Sequence, residues 1–231
     1  MLNFFDKYRQ DDTCCVCGKH IYGGYWCDAY GNKACQEHSV VMCASCSRIC
    51  SSDMVSIGQG RYVCKTCHDR IPDEDSCKRI TSFVKKTLAG LGLTIPNFTL
   101  SRVSMDRLYE FQHNNAVTGL ATAGGNGYEI YILKDIVNTT FAEILAHEMT
   151  HLWQWEQHVT VRDEIVEGFC NLSSFIVLKA IDTELARVKV RELEANPDKI
   201  YGDGFRKVKQ FYDANGMEKT IAKMKRAGKK R

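Results

Sequence analysis

The stretch Thr140-Phe-Ala-Glu-Ile-Leu-Ala-His-Glu-Met-Thr-His151 carries the most specific pattern in the chain. Its apolar residues recur at helical spacing, and Thr140-x-x-Glu143 is typical of a capping box, so we expect a helix to start near Thr140. His147 and His151 are four residues apart, which places both imidazoles on one helical face, within reach of one metal ion. This is the H-E-x-x-H zinc pattern, in which Glu148 is offset from the metal and free to contact a metal-bound water.

A catalytic zinc site needs a third protein ligand and an open position for water. No ligand follows closely after His151, but residues 162–180 predict a second amphipathic helix that carries Glu164 and Glu167 one turn apart. We expect Glu167 to be the third ligand, with Glu164, Asp163 or Asn171 orienting the imidazoles. The alternatives are that the histidines only pack or face solvent, and that the two glutamates belong to a solvated helix face.

Together these residues predict a zinc-dependent endopeptidase that hydrolyses peptide bonds of protein substrates. Glu148 is the expected general base, which takes a proton from a zinc-activated water and later delivers it to the leaving amine. The oxyanion needs a further donor, for which Tyr201 is the first candidate, with His158 and Tyr131 as alternatives. A strand over residues 98–103 and a hairpin over residues 117–133 are expected to form a small sheet whose edge can pair with an extended peptide.

The amino-terminal third is rich in cysteine: ten of the 12 cysteines lie between positions 14 and 67. They form two copies of C-x2-C-x17-C-x2-(C/H), offset by 29 residues, each typical of a zinc-binding hairpin. The predicted ligands are Cys14, Cys17, Cys35, His38, Cys43, Cys46, Cys64 and Cys67. The predicted non-ligands are Cys15, Cys27, Cys50, Cys77 and Cys170.

The order of these ligands allows two pairings. Sequential pairing gives two separate zinc ribbons, as in LIM domains, and interleaved pairing gives a RING-like cross-brace. Equal spacers favour two copies of one self-contained unit, and therefore sequential pairing. With the helical site, the chain is expected to hold three zinc ions, two structural and one catalytic, because closed four-ligand sites leave no position for chemistry.

Composition sets limits on the remaining possibilities. The chain has 231 residues, 44% hydrophobic and 26% charged, with a formal net charge of +3, which predicts an ordered protein with no membrane span. The amino terminus lacks the apolar stretch of a signal peptide, so we expect a cytoplasmic protein. The basic tail over residues 217–231 reads as a solvated helix with a frayed end, and nucleic acid is not an expected partner.

The motifs in this order resemble a known family. Two zinc ribbons are followed by Ala146-His-Glu-Met-Thr-His-Leu-Trp153, Val166-Glu-Gly-Phe-Cys-Asn171 and Tyr201-Gly-Asp-Gly-Phe-Arg206. In these motifs the chain is similar to the plant LIM-containing, ubiquitin-activated metallopeptidases that limit organ growth. The resemblance covers residues 14–220 and implies a short relative without ubiquitin-interacting motifs. It implies zinc ligation by the two helix histidines and Glu167, and a ubiquitin-like or other protein activator as a partner.

The expected fold class is α+β. A LIM-like tandem zinc module over residues 1–72 is followed, after the polar break at Pro72, by a glutamate-type zinc metallopeptidase domain over residues 76–231. That domain opens with a helix over residues 76–91, whose apolar face is expected to hold Ile80, Phe83, Val84 and Leu88. In this peptidase the LIM-like module is expected to serve structure or the recruitment of a partner or substrate. Two other functions stay open: a non-catalytic zinc-finger adaptor, whose carboxyl-terminal domain holds metal without turnover, and a RING-like ubiquitin ligase.

Overall fold

The structure, a computed structural model, describes residues 12–125 and 127–227. It is a mixed α+β fold that begins with two small antiparallel hairpins. In the first half of the cysteine-rich segment, β1 (Tyr25–Cys27) pairs with β2 (Lys33–Cys35). In the second half, β3 (Val55–Gly58) pairs with β4 (Arg61–Val63), followed by the one-turn helix α1 (Lys65–His68). Each spacer between cysteine pairs therefore forms the short hairpin that its length predicts.

The 29-residue repeat extends to individual hydrogen bonds. The backbone N–H of Cys35 donates to Sγ of Cys14 at 3.4 Å, and the N–H of Cys64 donates to Sγ of Cys43 at 3.2 Å. Both donor and acceptor positions differ by 29 between the two bonds. Because an N–H donor stabilises a thiolate, the repeat conserves an electrostatic feature as well as the ligand spacing.

A helix and a three-stranded sheet follow the hairpins. Helix α2 (Glu74–Gly90) buries Val84 and Leu88, as its pattern predicts, but Phe83 is 37% exposed, so its predicted core position is wrong. Phe83 lies at the margin of the apolar face, beside the solvent-facing side of the helix.

The sheet has the order β5-β7-β6, which leaves β6 at one edge. Strand β5 (Phe98–Val103) leads through helix α3 (Met105–Gln112) to β6 (Gly119–Gly124) and β7 (Gly127–Leu133). The hairpin of β6 and β7 is antiparallel, as expected, and β5 runs parallel to β7. Residue 126 of the predicted turn lies outside the described residues.

The remaining chain is helical. Helix α4 (Asn138–Glu156) contains both histidines of the H-E-x-x-H pattern, and α5 (Asp163–Ile181) is the predicted second helix. Hydrogen bonds between them join early residues of one helix to late residues of the other, so the two are antiparallel. They are followed by α6 (Glu184–Ala195), a π-helical turn (Lys199–Asp203) and α7 (Gly204–Ala227), which is broken at Gly216.

The predicted capping box at the start of α4 is wrong. The helix begins at Asn138, after Val137, so that Thr140 lies inside its first turn. The hydroxyl of Thr140 donates to the carbonyl of Ser45, and Glu143 forms an ion pair with Lys189 instead of capping the helix. Thr140 and Glu143 therefore bind Ser45 and Lys189, which are distant in sequence, and not the backbone N–H groups that a capping box would use.

The two halves of the cysteine-rich segment differ in how they are buried. The first half contributes Cys14, Ile21 and Ala34 to a small apolar cluster, which Ile49 of the second half completes. The second half contributes Cys43, Cys46, Ile57, Val63 and Cys67 to the one core that also holds the apolar residues of α2, the sheet, α4 and α5. The core therefore extends across the polar break predicted near Pro72.

The ends of both predicted domains, at residues 1–11 and 228–231, lie outside the described residues, as do Lys229, Lys230 and Arg231 of the basic tail. Within the described part of the chain, no helix has both the length and the apolar character that a membrane crossing requires.

Candidate metal centres and the adjoining cleft

The eight predicted ligands of the cysteine-rich segment form two separate groups. Cys14, Cys17, Cys35 and His38 come together in one, and Cys43, Cys46, Cys64 and Cys67 in the other, with the ligand atoms of each group within 4.8 Å of one another. This is the sequential grouping, and it differs from the interleaved arrangement of a RING domain. Both groups can hold a metal ion, and their donor sets suit zinc.

Two local observations support metal binding by these groups. Sγ of Cys46 and Sγ of Cys64 are 3.8 Å apart, and tetrahedral zinc with Zn–S bonds of about 2.3 Å requires sulfur atoms about 3.8 Å apart. Nε2 of His38 is buried and has no hydrogen-bond partner among residues 12–125 and 127–227. A buried, unpaired ring nitrogen is costly unless a further ligand satisfies it, and a metal ion at the Cys14 group would do so.

A third group lies between α4 and α5. Nε2 of His147 is 3.2 Å from Nε2 of His151 and 3.0 Å from Oε2 of Glu167, and Nε2 of His151 is 3.6 Å from the same oxygen. Tetrahedral zinc with bonds of about 2.0–2.1 Å needs ligand atoms about 3.3 Å apart. The structure therefore brings the three predicted ligands together at a spacing that fits one zinc ion.

The other ring nitrogen of each histidine is held by a neighbouring amide. Nδ1 of His147 lies 3.0 Å from Oδ1 of Asn171, and Nδ1 of His151 lies 3.2 Å from Oε1 of Gln154. An amide oxygen can only accept, so each Nδ1 donates its proton to an amide, and each Nε2 is left to face Glu167. Loss of the proton from Nε2 would give the tautomer that a metal requires, with Nε2 as the ligand atom.

The sequence predicts only some of the residues that contact the Nδ1 atoms of the two histidines. Asn171 was correctly named, but Asp163 is exposed in the first turn of α5, and Glu164 pairs with Lys207 instead of an imidazole. Both lie too near the start of α5 to reach the rings. Gln154 was missed, although its position three residues after His151 places it on the same face of α4.

Cys170 also approaches the histidines, and the ligand atoms of His147, His151 and Cys170 lie within 4.8 Å of one another. Its Sγ is 3.5 Å from Nδ1 of His151 and 3.5 Å from Oε1 of Gln154. The thiol thus sits on the Nδ1 side of the ring, away from the Nε2 atom that faces Glu167. Because this thiol belongs to a group that could hold a metal ion, the prediction that Cys170 is a non-ligand is not confirmed. Oε2 of Glu167 lies within 3.6 Å of both Nε2 atoms, on the other side of the rings.

The electrostatics of the group agree with ligation by Glu167. Burial acts to raise the pKa of this carboxyl, but hydrogen bonds to the two imidazoles outweigh burial and lower the pKa to about 2. A metal-binding carboxylate must be deprotonated, and Glu167 meets that condition.

Glu148 lies beside the group on the side of β6. Only 8% of the residue is exposed, and burial raises the pKa of its carboxyl, against the opposing effect of His147 and His151. The backbone of Ala121 in β6 also acts to lower the pKa of this carboxyl, but burial outweighs it. A Cβ built on Gly119 would collide with Ile144 and come within 2.9 Å of Oε1 of Glu148, so β6 approaches α4 this closely only because residue 119 is glycine.

A cleft of about 400 Å³ opens in front of His147 and Glu148. The segment from Asn114 to Gly119 forms one wall, and Ala44, Lys189 and Tyr201 line it from other elements. Tyr201 is 45% exposed, and burial, together with Glu167 and Glu148, raises the pKa of its phenol.

The two alternative oxyanion donors are not at this cleft. His158 is exposed just beyond the end of α4 with φ +50°, because the helix stops at Glu156. The hydroxyl of Tyr131 donates to Glu129 on the sheet. Of the three candidates, Tyr201 is the one that lines the cleft.

Comparisons with known proteins were made for the whole chain. No family model, no curated protein and no solved structure matches it.

Proposed function

We propose that the chain is a zinc-dependent endopeptidase in which His147, His151 and Glu167 hold the catalytic ion and Glu148 is the general base. The observation that carries the proposal is the spacing of the three ligand atoms at 3.0, 3.2 and 3.6 Å, with each Nδ1 fixed by an amide. Three ligands on two packed helices leave a coordination position open towards the cleft.

When bound there, zinc would polarise a substrate carbonyl and lower the pKa of a water molecule to about 7. Glu148 faces the same cleft, so its carboxylate can take the proton of the attacking water and pass it to the leaving amine. Gly119 of β6 lies against this carboxylate, so the strand would keep the base at the wall of the cleft for both proton transfers.

Substrate binding is assigned to the edge strand. β6 is paired on one side only, with β7, so its other side can hydrogen-bond to an extended peptide. Because Gly119 of β6 contacts Glu148, a peptide along this edge would pass the proposed base. Tyr201, which lines the same cleft, would donate a hydrogen bond to the oxyanion of the tetrahedral intermediate.

The two cysteine groups are assigned structural zinc ions in a LIM-like module. The first half also exposes three aromatic side chains, Tyr22 at 88%, Tyr25 at 46% and Trp26 at 53%. Exposed aromatic clusters are typical of interaction sites, so we assign this half to the recruitment of a substrate or of a ubiquitin-like or other protein activator. The same cluster supports the second candidate function, a zinc-finger adaptor without turnover.

Cleavage of a peptide library by the zinc-loaded protein and its Glu148→Gln variant tests the proposal. Loss of the base should lower the cleavage rate by about 10²–10⁴-fold while the zinc content stays unchanged. Glu110→Gln, an exposed change on α3, is the control and should cleave as the unaltered protein does. Equal cleavage by Glu148→Gln would refute the assigned base, and partner binding without any cleavage would favour the adaptor.

A further inference from the structure

The cleft contains a second chemical feature beyond the residues used so far. Past Ile144 it reaches Glu143 of α4, one turn before His147, and Lys189 of α6. Nζ of Lys189 is 2.7 Å from Oε2 of Glu143, and the two side chains are only 10% and 17% exposed. A buried ion pair therefore lines the same cleft as the proposed catalytic centre.

This pair is unusual as a purely structural element. Removing two charges from water is costly, and buried ion pairs are often replaceable by apolar residues of similar volume without loss of stability. Burial acts to lower the pKa of Lys189, but the neighbouring Glu143 outweighs burial and raises the pKa, so the ammonium group keeps its charge. A charged pair in the wall of a binding cleft can recognise a polar group of a substrate.

The pair retains free hydrogen-bonding capacity. The ammonium group of Lys189 has three donors, and Oε2 of Glu143 is its one acceptor among the described residues. Oε1 of Glu143 has no partner within the same part of the chain. The hydroxyls of Thr140 and Ser174 donate to backbone carbonyls, so they can offer only acceptor lone pairs to the cleft.

We propose that Glu143 and Lys189 form a specificity pocket for a primary carboxamide, the side chain of Asn or Gln, next to the scissile bond. The inference rests on the proposed peptidase function. A carboxamide offers an acceptor to Lys189 and donors to the free oxygen of Glu143. A carboxylate would be repelled by Glu143 and a cationic side chain by Lys189, and an apolar side chain would leave both charged groups without water or a partner.

The test uses peptides that differ only in the residues flanking the cleaved bond, with Gln, Asn, Leu, Glu or Lys at each position. The zinc-loaded protein should show a kcat/KM about tenfold or more higher for Gln or Asn than for the other three. The double variant Glu143→Met/Lys189→Met should lose this preference and favour Leu. Equal rates for all five side chains, or a preference for Glu or Lys, would overturn the pocket.

A binding measurement separates failure of the pocket from failure of the proposed function. Fluorescence anisotropy with the Glu148→Gln protein should show tighter binding of the Gln peptide than of the Leu peptide. If the unaltered protein cleaves nothing but this preference remains, the peptidase is refuted and the pocket stands. If peptides are cleaved but neither assay shows a carboxamide preference, the pocket alone is refuted. Thermal unfolding and zinc content verify that the double variant folds. If it does not fold, the kcat/KM values of the unaltered protein for the five peptides decide whether the pocket exists.

Discussion

The hydroxyl of Thr140 donates a 2.6 Å hydrogen bond to the carbonyl of Ser45, and this bond joins the second cysteine group to the helix of the candidate catalytic centre. Ser45 lies between Cys43 and Cys46 of that group, and its hydroxyl also accepts from the N–H of Val137 at 3.0 Å. The start of α4 is thus held by the segment that carries the second cysteine group. Because His147 lies two turns further along α4, the second cysteine group supports the position of the third.

The repeat provides a matched pair of variants to test this link. Cys14→Ser and Cys43→Ser remove equivalent ligands, but only Cys43 belongs to the main core. We expect Cys43→Ser to lower the melting temperature and to abolish metal binding at the histidines, since structural zinc sites contribute folding free energy directly. Cys14→Ser should lose about one zinc ion and leave the main unfolding transition in place. Equal effects in thermal unfolding and metal analysis would refute the asymmetry.

A second pair of variants tests the third ligand. Glu167→Gln should remove about one zinc ion per chain, because an amide replaces the carboxylate that contacts both Nε2 atoms. Glu164→Gln, one turn earlier on the same helix, should keep the full zinc content, since Glu164 pairs with Lys207. Metal analysis after dialysis measures both. Retention of the third ion by Glu167→Gln would exclude this carboxylate as a ligand.

The amides behind the imidazoles should tune metal affinity. Asn171→Ala removes the acceptor at Nδ1 of His147, and we expect it to weaken zinc binding at the third group by about 10–100-fold. Competition with a chromophoric chelator gives the affinity. The variant Asn138→Ala, at the exposed start of α4, is the control and should bind zinc normally. An unchanged affinity for Asn171→Ala would show that this hydrogen bond does not orient the ring.

The close approach of β6 and α4 gives a fourth prediction. In Gly119→Ala the new methyl group would collide with Ile144, so β6 must shift away from Glu148. We expect at least a tenfold loss in kcat/KM and about 1–3 kcal/mol in the free energy of unfolding. Gly124→Ala, on the same strand with no atom within 4 Å of the added carbon, should change kcat/KM little. Equal activities of the two variants would contradict the assigned role of β6.

Ligand spacing was enough to predict the centres. The i, i+4 histidines and the two offset copies of the cysteine pattern have few geometric solutions, and the structure groups their atoms accordingly. Glu167 was chosen as a carboxylate on the second amphipathic helix that the periodicity of residues 162–180 predicts. These features depend on local periodicity, which a sequence shows directly.

Features that depend on distant contacts could not be predicted. Thr140 and Glu143 matched a capping box, but Ser45 and Lys189, distant in sequence, take their side chains instead. Gln154 was visible only as a polar residue on a buried helix. The core that the second cysteine group shares with the helices and the sheet also depends on tertiary packing, as does the ion pair of Glu143 and Lys189 in the cleft. Local sequence patterns do not encode such packing.

Anomalous diffraction at the zinc absorption edge, from crystals of the zinc-loaded protein, tests the central claim most directly. We predict three peaks: one in each cysteine group and a third about 2.0–2.1 Å from Nε2 of His147, Nε2 of His151 and an oxygen of Glu167. Two peaks only, or a third peak bound through Sγ of Cys170 with Glu167 turned away, would contradict the proposed centre.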